Sequence, residues 1–335
     1  MDELTIRDVT AQPGEKRSGY LESSRTASQI PIHIPFTIVR GASDGPTLLV
    51  SSAVHGNEIT GTIALGQILR ELDPKDLAGT LLAVPVVNTS AFEFDSRVTY
   101  WDGQMLSIRN PGSLEGSISE QLAWMYINEL AVHADAVIDI HSGRQIMHVW
   151  HSLIEENIDP DITEKSLQMA MAFGLSQILK NPVGKAANSP GNWDKPFLLP
   201  EVGGGPDFLQ NGHHQIATCR RGITNVMKLM GMLEGEIKTE ADEVEILTNV
   251  TSVYSGTNAG IMLWACQPGD DLKKGDVFAH VYHPFTGEQI GAIRAPVDGT
   301  VVNTGTFWPV IHQGDWLVYL ADRQETLPIR FTDIW

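Results

Sequence analysis

"GPTLLVSSAVHGNEITGTIALGQILREL", residues 45–72, joins a buried-strand pattern directly to a helical one. From Thr47 to Val54 the chain is an almost unbroken apolar run, as in a strand covered on both faces of a sheet. The run stops at His55, and Glu58 follows three residues later. From Ile59 to Leu72 the apolar residues recur at helical spacing, until "DPKDLAG" breaks the pattern. A buried strand thus hands a histidine and a glutamate to the joint with a helix.

The same alternation continues outward. "IPIHIPFTIVRG" (30–41), "TLLAVPVVN" (80–88) and "DAVIDIHS" (135–142) read as strands. "SISEQLAWMYINELAVHA" (117–134) reads as an amphipathic helix capped by Ser117 or Ser119. "DPDITEKSLQMAMAFGL" (159–175) and "ATCRRGITNVMKLMGML" (217–233) read as helices as well. Strands alternating with helices give an α/β domain with a largely parallel sheet. Residues 1–45 form a β-rich lead-in to it. Past about residue 240 helical periodicity disappears, and short β-prone runs alternate with Gly-Asp, Lys-Gly and Asp-Gly turns. The expected organisation is an α/β domain over 1–238, a polar boundary within 234–245, and an all-β module over 246–335.

Composition narrows the function classes. The 335 residues carry a formal net charge of −18, which repels phosphate backbones and excludes nucleic acid as the expected partner. The apolar runs are too short to span a bilayer, so no membrane is expected, and "MDELTIRDVT" lacks the apolar core of a secretory signal. The cytoplasm is the expected location. The two cysteines, Cys219 and Cys266, are then expected to be reduced.

In open α/β sheets, sites form at the carboxyl ends of strands. Two such ends carry histidines, His55 and His141, and Glu58 lies one helical turn from the first. Two neutral imidazoles and a carboxylate suit Zn²⁺ and leave a position open for water, as in a catalytic site. A lone His-x-x-Glu recurs by chance in many chains; its weight here comes from the second buried strand that also ends in a histidine.

"VHGNE" and "DIHSG" resemble the zinc-binding signature of the succinylglutamate desuccinylase/aspartoacylase family, a branch of the zinc carboxypeptidase-like fold. "GPTLLVSSAVHGNEITG", "VPVVNTSAF", "SRVTYWDG", "NPGS", "DIHSG" and "PEVGGG" stand in that family's order. The resemblance implies a three-layer α/β sandwich with a mixed, largely parallel sheet, followed by a C-terminal all-β, barrel-like module. It implies one Zn²⁺ per chain held by His55, Glu58 and His141. It also implies Glu201 as the catalytic glutamate, Arg97 as the arginine that polarises the scissile carbonyl, and Asp139 behind a ligand histidine. The implied reaction is hydrolysis of a small N-acyl substrate; the acidic surface is separately compatible with a homo-oligomer. A metallocarboxypeptidase acting on peptides and a non-catalytic binding protein of the same fold are the alternatives.

The chain departs from the family at "DGQMLSIRNPG" (102–112), where the usual Asn-Arg that grips a substrate carboxylate is replaced by Ser107 and Ile108. Arg109 and Asn110 follow at once, and with Arg144 they are the candidate substrate residues. His148, His151, His213 and His214 read as exposed or satisfied histidines, with lining of the pocket or an accidental second metal site as the alternatives. Tyr282 and Trp308 of the β module are candidates to reach over the cleft.

Overall fold

The structure is a computed structural model that describes residues 2–143, 147–182, 194–204, 208–305, 309–332 and 335. Its framework is one large mixed sheet. From one edge the strands run Lys16–Arg25, Pro31–Arg40, Ala78–Val84, Ser43–Ser52, Ala136–Gly143, Phe197–Gly204, His151–Glu155, Gln177–Asn181, Glu243–Tyr254, Trp316–Pro328, Gly299–Thr304 and Asp271–Leu272. Ala78–Val84, Ser43–Ser52, Ala136–Gly143 and Phe197–Gly204 are parallel neighbours. His151–Glu155 then reverses direction against Phe197–Gly204.

Alternation along the central strands explains why they read as continuous apolar runs. Leu48, Val50, Ile138 and Ile140 pack into one core with residues of the helices Thr60–Glu71, Pro160–Phe173 and Phe208–Leu229. Leu49, Val137, Phe197 and Leu199 face the opposite core, with Leu122 and Met125 of the helix Ile118–Met125 and Leu106 and Ile108 of the connection before it. Each such Leu or Val contributes about 1.5–3 kcal/mol over an exposed position. Both faces are covered, so neither can show a polar alternation.

The helix ends follow local chemistry. Ser117 and Glu120 form a reciprocal capping box at the start of Ile118–Met125. Asp159 caps Pro160–Phe173, which ends at Gly174 with φ 85°. The helix expected over 117–134 is α-helical only to Met125. It then widens into a π turn, Tyr126–Leu130, and tightens into a 3-10 turn, Ala131–His133. The wide turn seats Tyr126, which is fully buried and donates to Ser51 Oγ at 2.9 Å. The helix expected over 217–233 is Phe208–Leu229, starting nine residues earlier. Its first turns expose Asn211, His213 and His214, which hid the helical pattern.

The C-terminal strands differ from the expected barrel: among the described residues no barrel closes. Gly260–Trp264, Val277–Tyr282, Gln289–Arg294 and Val310–Ile311 form a separate antiparallel sheet, while the long strands join the central one. Length is the reason. Glu243–Tyr254 and Trp316–Pro328 have 12 and 13 residues and pair with each other along most of their length, with register shifts on either side of Thr248 and again after Val253. Before Thr248, Val244 and Ile246 enter the core shared with the helices Thr60–Glu71, Pro160–Phe173 and Phe208–Leu229. Beyond it, Val253, Leu317, Val318 and Leu320 build a core of the C-terminal strands. A single pair of strands therefore serves two layers, which the sequence pattern shows only as more β structure. Both cysteines are free thiols. No helix among the described residues is long and apolar enough to cross a membrane.

Candidate metal centre and active site

Ser51 and Asp139 face each other across parallel strands, and the chain leaves both strands at the same end of the sheet. Ala53, fully buried, adopts φ 51°, a left-handed conformation that costs roughly 1–2 kcal/mol for a residue with a Cβ. It turns the backbone out of the strand. Val87 and Asn88 secure the turn by donating to the Ser52 and Ala53 carbonyls at 3.0 Å each. Gly56 lies so close to the helix Thr89–Glu93 that a Cβ would stand 1.9 Å from the Ala91 carbonyl carbon. The turn closes with Glu58 N–H donating to the His55 carbonyl at 3.0 Å, which aims both side chains at one point.

His55 Nδ1 lies 3.0 Å from Glu58 Oε1, and His141 Nδ1 lies 3.0 Å from Glu58 Oε2. The two imidazole rings are 4.9 Å apart, centre to centre. One ligand atom from each of the three side chains fits within a mutual distance of 4.8 Å, and all three residues are buried. Behind His141 stands a relay of buried polar groups. Asp139 Oδ2 is 2.8 Å from His141 Nε2, Ser51 Oγ donates to Asp139 Oδ1 at 2.8 Å, and Tyr126 donates to Ser51. The carboxylate on Nε2 fixes the ring so that Nδ1 faces Glu58. The Ser142 N–H donates to Glu58 Oε2 at 3.2 Å.

The electrostatics are those of a cation site. Burial works against charge on Glu58, but His55 and His141 outweigh it and hold the carboxyl well below its ordinary range. Burial likewise opposes a charged His141, yet Asp139 and Glu58 hold it well above the usual histidine value. Burial pushes His55 down, with Glu58 opposing. Two buried carboxylates flanking a single imidazole are short of positive charge. Two ring nitrogens and a carboxylate oxygen that meet within a few ångströms fit a borderline divalent ion such as Zn²⁺.

Glu201 reaches the site from the adjacent strand, in register with His141. Burial raises its carboxyl, His141 opposes, and the Glu58 charge adds to the rise. Its strand ends in glycines for a steric reason: Gly204 has φ 89°, and a Cβ there would stand 1.8 Å from the Gly143 carbonyl oxygen. The strand ends that bear Glu201 and His141 thus touch backbone to backbone. His148 joins them again, with Nε2 3.2 Å from Gly143 N and 3.0 Å from the Gly203 carbonyl.

Arg97 donates to Glu58 Oε1 while its side chain stays 43% exposed, so one side chain touches the cluster and also meets solvent. Ile108 is buried in the core, and Arg109 donates to Glu155 Oε1 at 2.9 Å. Glu155 is 5% exposed and Arg109 34%. Asn110 Oδ1 is buried with no hydrogen-bond partner among the described residues. Arg144 and Trp308 lie outside the described residues. Tyr282 stands in the separate four-stranded sheet, opposite Ile261. Among the described residues His55, Glu58 and His141 are the one group with metal-ligand spacing.

Tyr319 escaped sequence reasoning. Burial raises its phenol, and the charges it feels are those of Tyr254, Arg97, Arg109 and Glu201. Its strand reads as ordinary alternation, "WLVYLAD", and nothing in that pattern marks a residue near the site.

Residues 44–230 match the model of the succinylglutamate desuccinylase/aspartoacylase catalytic domain. The chain is 28% identical over 306 residues to the N-alpha-acetyl-L-2,4-diaminobutyric acid deacetylase of Halomonas elongata, covering 88% of this chain and 87% of that one. Among solved structures it superposes on the product-bound ectoine utilization protein EutE (DoeB) from Ruegeria pomeroyi with a TM-score of 0.81 and 25% identity, covering 93% of this chain and 96% of that one. A succinylglutamate desuccinylase/aspartoacylase from Rhodobacter sphaeroides, at 22% identity and TM-score 0.80, shares the fold over 92% of this chain and 96% of its own.

Proposed function

The chain belongs to the succinylglutamate desuccinylase/aspartoacylase family, and from that premise we propose that it hydrolyses the amide bond of a small N-acylated amino acid or related amide. The observation that carries this reading is the convergence of His55, Glu58 and His141 beside Glu201, a carboxylate on the neighbouring strand. The relative from Halomonas elongata is named for deacetylating N-alpha-acetyl-L-2,4-diaminobutyric acid. An N-acetyl diamino acid is therefore the first substrate to test.

His55, Glu58 and His141 would hold one Zn²⁺ per chain. When bound, that ion supplies a Lewis acid for the acyl carbonyl and brings the pKa of water to about 7. Asp139 keeps the His141 ring oriented for the task. Glu201 takes the proton of the attacking water, its carboxyl raised by burial above its ordinary value. It returns that proton to the nitrogen as the carbon–nitrogen bond breaks. Arg97, with an exposed flank beside Glu58, donates to the oxygen that gathers negative charge. Arg109, with one nitrogen on Glu155, retains donors for a substrate carboxylate, and Asn110 stands beside it. Arg144 belongs to the same proposed substrate set. We take 1–238 as the catalytic unit and 246–335 as a β module that narrows access from the Tyr319 side. The enzyme is read as cytoplasmic and acting on small molecules, with room for assembly as a homo-oligomer.

Metal analysis and one variant test the reading. Purified protein should hold about one zinc per chain, as expected for a three-ligand catalytic site. Glu201→Gln should keep that zinc and lose about 10²–10⁴ in turnover of an N-acetyl amino acid. Unchanged turnover removes Glu201 from the mechanism, and metal-free protein of full activity removes the zinc.

A further inference from the structure

Three ionisable side chains stand in a row across three neighbouring strands. Glu201 is in register with His141 on one side and with His151 on the other. Residues directly opposite in such pairs share a face, with Cβ atoms about 4.5–5.5 Å apart across an antiparallel pair. The row thus reads metal ligand, proposed base, and a histidine that has no role in the scheme above. His151 is only 4% exposed.

Its chemistry is set by its surroundings. The Nδ1 atom stands 2.8 Å from the Val149 carbonyl, which can only accept, so Nδ1 carries the proton and donates it there. Nε2 then holds a lone pair, and among the described residues no protein group engages it. Burial, with His148 beside it, pushes the imidazole down to about 4, so the ring is neutral near pH 7. The result is a fixed neutral acceptor next to Glu201, on the side away from the metal ligands.

We propose that His151 is the acceptor for the departing amine: its Nε2 takes a hydrogen bond from the substrate nitrogen on the side of Glu201 remote from His141. This rests on the deacylase reading. The order across the strands supplies the direction, because the acyl oxygen belongs on the His141 side and Glu201 delivers its proton to the nitrogen. During hydrolysis the water oxygen bonds to the acyl carbon, the carbon–nitrogen bond breaks, and the nitrogen gains the proton that Glu201 carried. A planar secondary amide has one N–H, whereas the departing amine has two. The hydrogen delivered by Glu201 faces the carboxylate that gave it; as the nitrogen turns pyramidal, the substrate's own N–H needs a separate acceptor, and His151 provides it without itself changing protonation. A neutral lone pair can accept from the N–H, which an arginine, having donors alone, cannot do.

An acceptor met chiefly as the bond breaks acts on kcat more than on KM. His151→Asn keeps an amide N–H near the Val149 carbonyl and removes the Nε2 acceptor. His151→Gln places a side-chain oxygen at the reach of Nε2. The substrates are N-acetyl-2,4-diaminobutyrate and its ester counterpart, 2-acetoxy-4-aminobutyrate, whose leaving oxygen lacks the extra N–H. His151→Asn should lower kcat on the amide by about 10- to 100-fold, the cost of an unpaired donor, and should change ester turnover by less than about threefold. His151→Gln should recover most of that loss. Equal losses on amide and ester, or amide turnover within about twofold of wild type, overturn the subsite while the deacylase reading stands. A zinc-loaded wild-type protein silent on every N-acyl compound overturns that reading, and the subsite with it.

Discussion

The strand-end cluster and the connection from Asp95 to Ser117 lie against the same face of the sheet, yet they are held in place by different means. His55, Glu58, His141 and Asp139 are fixed by parallel strands in register and by a buried turn, so backbone geometry places each atom. The connection instead drops Leu106 and Ile108 into the core and hangs its two arginines on buried carboxylates, Arg97 on Glu58 and Arg109 on Glu155. The difference teaches which positions the fold specifies and which a single ion pair specifies. Breaking a strand-end residue should damage chemistry; breaking a pair in the connection should damage binding.

Arg97 bridges the two regions, and its loss should be the largest of the effects that follow. If its guanidinium serves the developing oxyanion, Arg97→Ala should cut kcat by about 10²–10³ and leave the zinc content unchanged. If its main task is to brace Glu58, zinc should fall out first, and metal analysis beside kinetics separates the two. Asp139→Asn probes the cluster from behind. An amide can still touch His141 Nε2 but cannot insist on the same tautomer, so zinc affinity should drop about 10- to 100-fold, read by competition with a chelator. Unchanged affinity would mean that strand register alone orients the ring.

The two regions also differ in how much of them the sequence reveals. The cluster was legible because its residues interrupt apolar runs: His55 ends one buried strand and His141 stands at the end of another. Glu201 was legible only through the family pattern, since "FLLPEVGG" carries no clear period, although the structure makes it a strand between His141 and His151. The partner of Arg109 was not legible at all. Glu155 sits at the end of the short strand His151–Glu155, and only tertiary pairing brings it beneath the connection. The same limit applies to the C-terminal strands. Their β character is local, but the choice between closing a barrel and extending the central sheet depends on the pairing of Gln177 with Glu245, 68 residues apart. Tyr319 comes near the site by that route.

Glu155→Gln is the mildest change and the sharpest on the connection. Removing one partner of a fully buried ion pair costs about 3–5 kcal/mol, because the remaining charge is stranded. Here the Arg109 side chain is 34% exposed and can turn toward water, so the loss should be nearer about 1–2 kcal/mol in a denaturant titration. Kinetics then decide what the pair is for. If Glu155 aims Arg109 at a substrate carboxylate, KM should rise for a carboxylate-bearing substrate while kcat holds, because the arginine binds ground and transition states alike. A carboxamide version of that substrate should show no rise. If both substrates respond equally, the pair anchors the connection and no more, and the carboxylate must be held by another part of the cleft.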